Sequence, residues 1–176
     1  MTFGGQMAGR LLNVVASIPR LCAQSKEALD GTWKLASAAD STDKGVKKDA
    51  FGKDYVEFLT YTPHGRLMAI IPNGGRKSLS VPDYIAAPSV EWTAAFSTFS
   101  AYAGRYTRTG DRVVHRVEGT SPQNRIGADL TRTIVKLEQN RLILRTPPLR
   151  KLGAMVTTEL VWTRLTNEET PSREQE

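Results

Sequence analysis

Between Leu29 and Leu165 the chain repeats one local pattern, short runs of alternating apolar and polar residues, each closed by a tight-turn signal. Side chains of a strand point alternately to its two faces, so this period of two describes strands with one face buried and one wet. Thr32 to Ser37 alternates around Trp33 and Leu35. Asp54 to Thr62 is rich in β-branched and aromatic residues, with Val56 and Phe58 on one face and Leu59 and Tyr61 on the other. Thr62-Pro63-His64-Gly65 then reads as a turn, because proline presets one turn dihedral and glycine accepts positive φ. Arg66 to Ile71 returns as the second arm of a hairpin that Pro72-Asn73-Gly74-Gly75 ends. Arg105 to Thr107 and Arg112 to Glu118 flank Thr109-Gly110-Asp111, and Leu130 to Leu137 and Arg141 to Thr146 flank Glu138-Gln139-Asn140. After Pro147-Pro148, Met155 to Leu165 supplies a last long strand. About eight strands in successive hairpins predict an all-β fold, a closed antiparallel barrel.

One segment breaks the rhythm. From Ser89 to Ala103 the residues Trp92, Phe96, Phe99 and Ala103 fall three and four apart, with Ser89 as an N-cap and Gly104 as a stop. This spacing predicts one amphipathic helix over 89–103, packed across a barrel mouth or wall.

A chain of 176 residues fits one domain with a core, and 40% apolar and 24% charged residues are ordinary for a globular protein. No run approaches the roughly 20 apolar residues of a membrane-spanning helix. The single cysteine, Cys22, excludes an internal disulfide. The formal charge of +6 comes from scattered Lys and Arg with acidic residues among them, so the sequence gives a solvated basic surface rather than a nucleic-acid-binding stripe. Residues 1–28 form an extension in which Leu11, Leu12, Val14, Val15 and Ile18 can line one helical face before Pro19. With Arg10, Arg20 and Lys26 and no acid before Glu27, it is a docking helix or tail, with an organelle transit segment as the alternative. Residues 166–176 are acidic and polar and are expected to be a disordered tail. The expected location is intracellular and cytoplasmic, or mitochondrial if the first segment targets.

A barrel of this size holds one small ligand or is filled by side chains alone. Among candidate residues, His115 shares a strand face with Val113 and Val117. An inward imidazole could move protons near neutral pH, and the alternative is a core histidine with one hydrogen bond. Tyr61, Tyr102 and Tyr106 combine an apolar ring with a polar tip that can orient a ligand, or they simply pack. Trp33 and Trp162, on the first and last strands, are core plugs. Unbroken alternation with Val135 and Leu137 inward puts Arg132 outside, whereas a bulge would admit it to the cavity to bind a carboxylate or enolate. His64 sits at an exposed turn tip, and two histidines so placed, with one distant cysteine, predict no metal site. No nucleophile elbow or phosphate loop is present, so hydrolase, kinase and dinucleotide chemistry lack their parts, and no cofactor is expected.

Six segments in order resemble the lipocalin-like domain family of bacteria and fungi. They are Leu29-Asp30-Gly31-Thr32-Trp33-Lys34-Leu35, Tyr61-Thr62-Pro63-His64-Gly65-Arg66-Leu67-Met68 and Ala101-Tyr102-Ala103-Gly104-Arg105-Tyr106, then Val113-Val114-His115-Arg116-Val117-Glu118, Leu142-Ile143-Leu144-Arg145-Thr146-Pro147-Pro148 and Leu160-Val161-Trp162-Thr163-Arg164. The resemblance spans Leu29 to Leu165 and implies a lipocalin-like barrel that binds a small hydrophobic molecule. Asn124 is a ligand-contact candidate by the same resemblance, although Ser121-Pro122-Gln123-Asn124-Arg125-Ile126-Gly127 lacks the aromatic residue that the family tends to carry after this asparagine. Some relatives resemble accessory proteins of secondary metabolism, which implies a cofactor-free isomerase or cyclase with His115 as the proton shuttle. The alternatives are a non-catalytic carrier, or a structural subunit of a homo-oligomer or larger assembly.

Overall fold

The structure, a computed structural model, describes residue 1 and residues 29–43, 45, 47–51, 56–151 and 153–166. The expectations for the N-terminal extension and the acidic tail therefore lie outside the described residues, except at Met1 and Thr166.

Among the described residues the strands are β1 (Gly31–Thr42), β2 (Lys47–Asp49), β3 (Phe58–Tyr61), β4 (Arg66–Pro72), β5 (Phe99–Thr109), β6 (Arg112–Thr120), β7 (Asp129–Leu137), β8 (Arg141–Arg145), β9 (Leu149–Lys151) and β10 (Ala154–Arg164). Eight of them close a ring in the order β1-β3-β4-β5-β6-β7-β8-β10, and β10 returns to β1 through Trp33↔Arg164 to Thr42↔Val156. Every pairing is antiparallel, as short hairpins require. The short β2 and β9 extend the ladders of β1 and β10 at one end of the barrel.

The two ends differ. The hairpin turns β3–β4, β5–β6 and β7–β8 gather at one end, with the start of β1 and the finish of β10. The longer connections β1–β3, β4–β5, β6–β7 and β8–β10 rim the other. The hairpin end is plugged. Trp33 is fully buried, and its indole N–H donates to the Leu29 carbonyl at 2.9 Å. The Arg164 guanidinium lies 4.0 Å from the Trp33 ring centre and donates to the carbonyls of Gln139 and Asp30. Tyr106 joins this plug: its hydroxyl meets the Asp30 carboxylate at 2.8 Å and the Thr62 carbonyl at 3.1 Å. Leu59, Leu67, Val113, Val117, Leu142 and Leu144 fill the adjoining core from alternate positions of four strands.

Helix α1 runs over Ser89–Ser97, not to Ala103. Phe99 to Ala103 belong to β5, where they pair with Pro72 to Met68 of β4. That ladder satisfies both backbones and buries Tyr102, which a helix facing solvent does not. Pro88, rather than Ser89, holds the N-cap position, and no residue of α1 is buried. The helix therefore does not lay a buried face across the barrel; Trp92 instead meets Tyr84 edge-on at 6.0 Å.

Gly104, expected as a helix stop, lies inside β5 at a bulge, where the register against β6 shifts between Ala103 and Gly104. A Cβ there would overlap the backbone carbonyl oxygen of Arg116, so only glycine lets β6 approach this closely.

Candidate functional site

The half of the barrel away from the plug contains a cavity of about 220 Å³ that opens at the rim. Its apolar wall includes Leu59, Ala69, Ile71, Leu144, Leu160 and Trp162, and its polar wall Glu57, Ser100, Tyr102, His115, Arg125, Arg132 and Lys151.

His115, 1% exposed, has both ring nitrogens engaged. Nε2 lies 2.7 Å from the Tyr61 hydroxyl and Nδ1 3.0 Å from the Tyr102 hydroxyl. Burial, reinforced by the positive charge of Arg132, lowers its pKa to about 3, so the imidazole is neutral. A neutral imidazole has one donor and one acceptor nitrogen. Tyr61, 1% exposed, has His115 as its only hydrogen-bond partner among the described residues. The tautomer that satisfies Tyr61 has its O–H donating to Nε2, which leaves Nδ1–H to donate to Tyr102. The Tyr102 proton is then free to face the cavity. Burial raises the pKa of both tyrosines, and neighbouring tyrosine hydroxyls add to this at Tyr61.

Arg132 borders the cavity, as the bulged alternative required. The register of β7 against β8 shifts between Ile134 and Lys136, which resets parity: Ile134 is buried and Val135 exposed. The expectation that Arg132 lies outside with Val135 inward is thus corrected. One guanidinium nitrogen of Arg132 donates to the Thr131 carbonyl at 2.8 Å, and the group lies beside the Tyr102 hydroxyl.

The other candidates disperse. Tyr61 stands behind His115 and packs edge-on against Tyr106 at 4.8 Å, and Tyr106 belongs to the plug. Neither borders the cavity. Asn124 is exposed in the short 3₁₀ turn Gln123–Arg125 and is not a lining residue; its neighbour Arg125 is. An exposed 3₁₀ turn holds that amide in water, so its placement as a cavity contact is corrected.

Sequence reasoning missed Glu57. It is 0% exposed, and neither carboxyl oxygen has a hydrogen-bond partner among the described residues. Burial pushes its pKa from the usual 4.5 up to about 8, so it carries its proton at neutral pH. The signal was present: Glu57 shares strand parity with the inward Leu59 and Tyr61. Lys151 was missed as well. From the rim it donates to Asp40 at 3.1 Å and to the Thr158 hydroxyl at 3.0 Å, while Thr158 donates to Asp40 at 2.6 Å.

Among the described residues no group of three or more His, Cys, Asp and Glu is placed to hold a metal ion. No described helix is long and apolar enough to cross a membrane.

The chain is 14% identical to a lipocalin-like protein from Bacteroides uniformis, with a TM-score of 0.43 over 78% of this chain and 99% of that one. An uncharacterized protein from Bacteroides eggerthii shares 11% identity at a TM-score of 0.41, over 78% and 99% of the two chains. Bovine odorant binding protein, solved with a selenium-containing odorant, shares 12% identity at 0.42, over 92% of this chain and 78% of that one. No curated protein matches the sequence. The family model of the lipocalin-like domain matches residues 30–165, nearly the whole barrel, and the chain belongs to that family.

Proposed function

We propose that the protein binds one small, largely apolar molecule inside the barrel. The observation that carries this reading is the open cavity of about 220 Å³, walled by aliphatic and aromatic side chains with a few convergent polar groups. Ligand sites have this composition, and the volume, below the usual range of roughly 300–1,000 Å³, suits a molecule smaller than a typical drug. Native mass spectrometry of protein purified gently from its own source, followed by extraction, tests it. A bound small molecule is expected on the natural protein and absent from Ala69→Phe, whose ring would occupy the cavity beside a side chain that is now a methyl. An adduct of equal occupancy on both proteins would place the molecule elsewhere and defeat the reading.

One observation favours a second reading, a cofactor-free isomerase or cyclase. Glu57 borders the cavity with a pKa raised to about 8, and a carboxyl so tuned can both give and take a proton near neutral pH. In this reading His115, with both nitrogens engaged, is a positioning residue that aims Tyr102. Loss of turnover with retained binding in Glu57→Gln would support it, and unchanged turnover of the extracted molecule would end it.

A further inference from the structure

The cavity wall holds more hydrogen-bonding capacity than its own residues use. Among the described residues the Trp162 indole N–H, the Ser100 hydroxyl and both Glu57 carboxyl oxygens are buried without a partner, and all three residues line the same space. Buried polar groups are ordinarily paired, so several orphans on one wall point to a missing occupant. Their chemistry describes it. An indole N–H can only donate, a protonated carboxyl donates, and the Tyr102 proton is left free by the His115 tautomer. The Arg132 guanidinium adds donors, and among the described residues neither it nor Arg125 forms an ion pair. Lys151, by contrast, is matched by Asp40. The wall is rich in donors and, among the described residues, its Arg125 and Arg132 have no acidic partner.

Resting on the ligand-binding reading above, we propose that the cavity takes an organic anion, an apolar body ending in a carboxylate whose oxygens sit among Glu57, Tyr102, Arg132 and Trp162. Two guanidinium groups favour such a head over an alcohol and oppose an amine. The proton on Glu57 becomes part of the seat, because an ionised Glu57 would lose its donor and repel the ligand. The charged and titratable groups around Glu57 are Tyr102 on β5, His115 on β6, Arg132 on β7, Arg125 in the preceding turn, and the Lys151–Asp40 pair of β9 and β1. Burial moves Tyr102 above its ordinary value and His115 down to about 3, which leaves Glu57, at about 8, as the group of this set shifted into the neutral range.

The test is calorimetric titration of the full chain with octanoate, octanol and octylamine, which share one body and differ in head group. At pH 7 octanoate is expected to bind at least about tenfold tighter than octanol, with octylamine weakest, as charge-assisted bonds imply. In Arg132→Met, checked for cooperative unfolding, octanoate should fall to within about threefold of octanol. Between pH 7 and 9, where octanoate stays ionised, its affinity should drop about tenfold in the natural protein and stay flat in Glu57→Gln, as a proton-linked site titrating near 8 requires. Octanol binding as tightly as octanoate, unaffected by Arg132→Met, would overturn the anion seat while leaving the cavity reading intact. A flat pH profile in the natural protein would overturn the part given to Glu57. Failure of all three probes would overturn the cavity reading itself.

Discussion

Glu57→Gln is expected to raise the free energy of unfolding by about 3 kcal/mol at pH 8 and to leave it nearly unchanged below about pH 4. Glu57 is buried and, among the described residues, unpartnered, with its folded pKa near 8 against 4.5 in an open chain. As the pH rises through that window the unfolded chain releases the proton and the folded chain keeps it. Stability is therefore lost with rising pH, by at most about 1.4 kcal/mol per pH unit. Relaxation of the surroundings around a buried charge relieves part of this, hence about 3 kcal/mol rather than the full window. Glutamine keeps the shape of the neutral acid and has nothing to ionise. His115 works in the opposite sense: its folded pKa of about 3 lies below the usual 6.5, so stability is lost as the pH falls from 6.5 towards 3. The two slopes oppose each other between 4.5 and 6.5. Urea unfolding across pH should give a plateau there, a fall on the alkaline side that Glu57→Gln removes, and a fall on the acid side that it does not. An alkaline fall of equal steepness in the variant would refute the assignment.

Gly104→Ala is the second large effect, an expected loss of about 3 kcal/mol or more. The added methyl would occupy the position of the Arg116 carbonyl oxygen, and backbone cannot swing aside as a long side chain can. Strands β5 and β6 would have to part at the bulge, beside Tyr102 and Val117. Melting should fall by roughly 6–12 °C for a domain of this size. Gly110→Ala, at a hairpin tip where a Cβ meets nothing, carries only the penalty of its left-handed backbone, φ 59°, and should lose less. Equal melting temperatures for the two variants would contradict the close approach.

These two positions mark how far the sequence could be read. Alternation and turn chemistry are local, so the hairpins at Pro63-His64-Gly65, Gly110-Asp111 and Gln139-Asn140, the core position of Trp33 and the shared faces of Leu59 with Tyr61 and of Val113 with His115 were legible, while which of those faces turns inward was not. Bulges are not local, because they depend on which residue of a partner strand lies opposite. The shift between Ile134 and Lys136 turned Arg132 inward against simple parity, and the shift at Gly104 gave that glycine a task unrelated to ending a helix. The helix was overextended for a related reason: Phe96, Phe99 and Ala103 keep helical spacing, but pairing of Phe99 to Ala103 with β4 decided the outcome. Glu57 shares the parity of Leu59 and Tyr61, but a glutamate is seldom fully buried, so composition argues against the inward place that its strand position gives it. The cavity wall brings three candidates of the sequence, His115, Tyr102 and Arg132, together with Glu57 and Lys151, which were not among them.

The plug of Trp33, Arg164, Asp30 and Tyr106 makes the barrel a cul-de-sac. On the binding reading proposed above, a guest would enter and leave at the opposite rim, where Phe51, Leu149 and Lys151 border the cavity among the described residues. Among the described residues the plug leaves no passage for through-traffic, as in a pore or a tunnel handing cargo from one side to the other. On that reading, substitutions of Phe51, Leu149 or Lys151 would change residence time, whereas changes at the plug would act on the durability of the vessel.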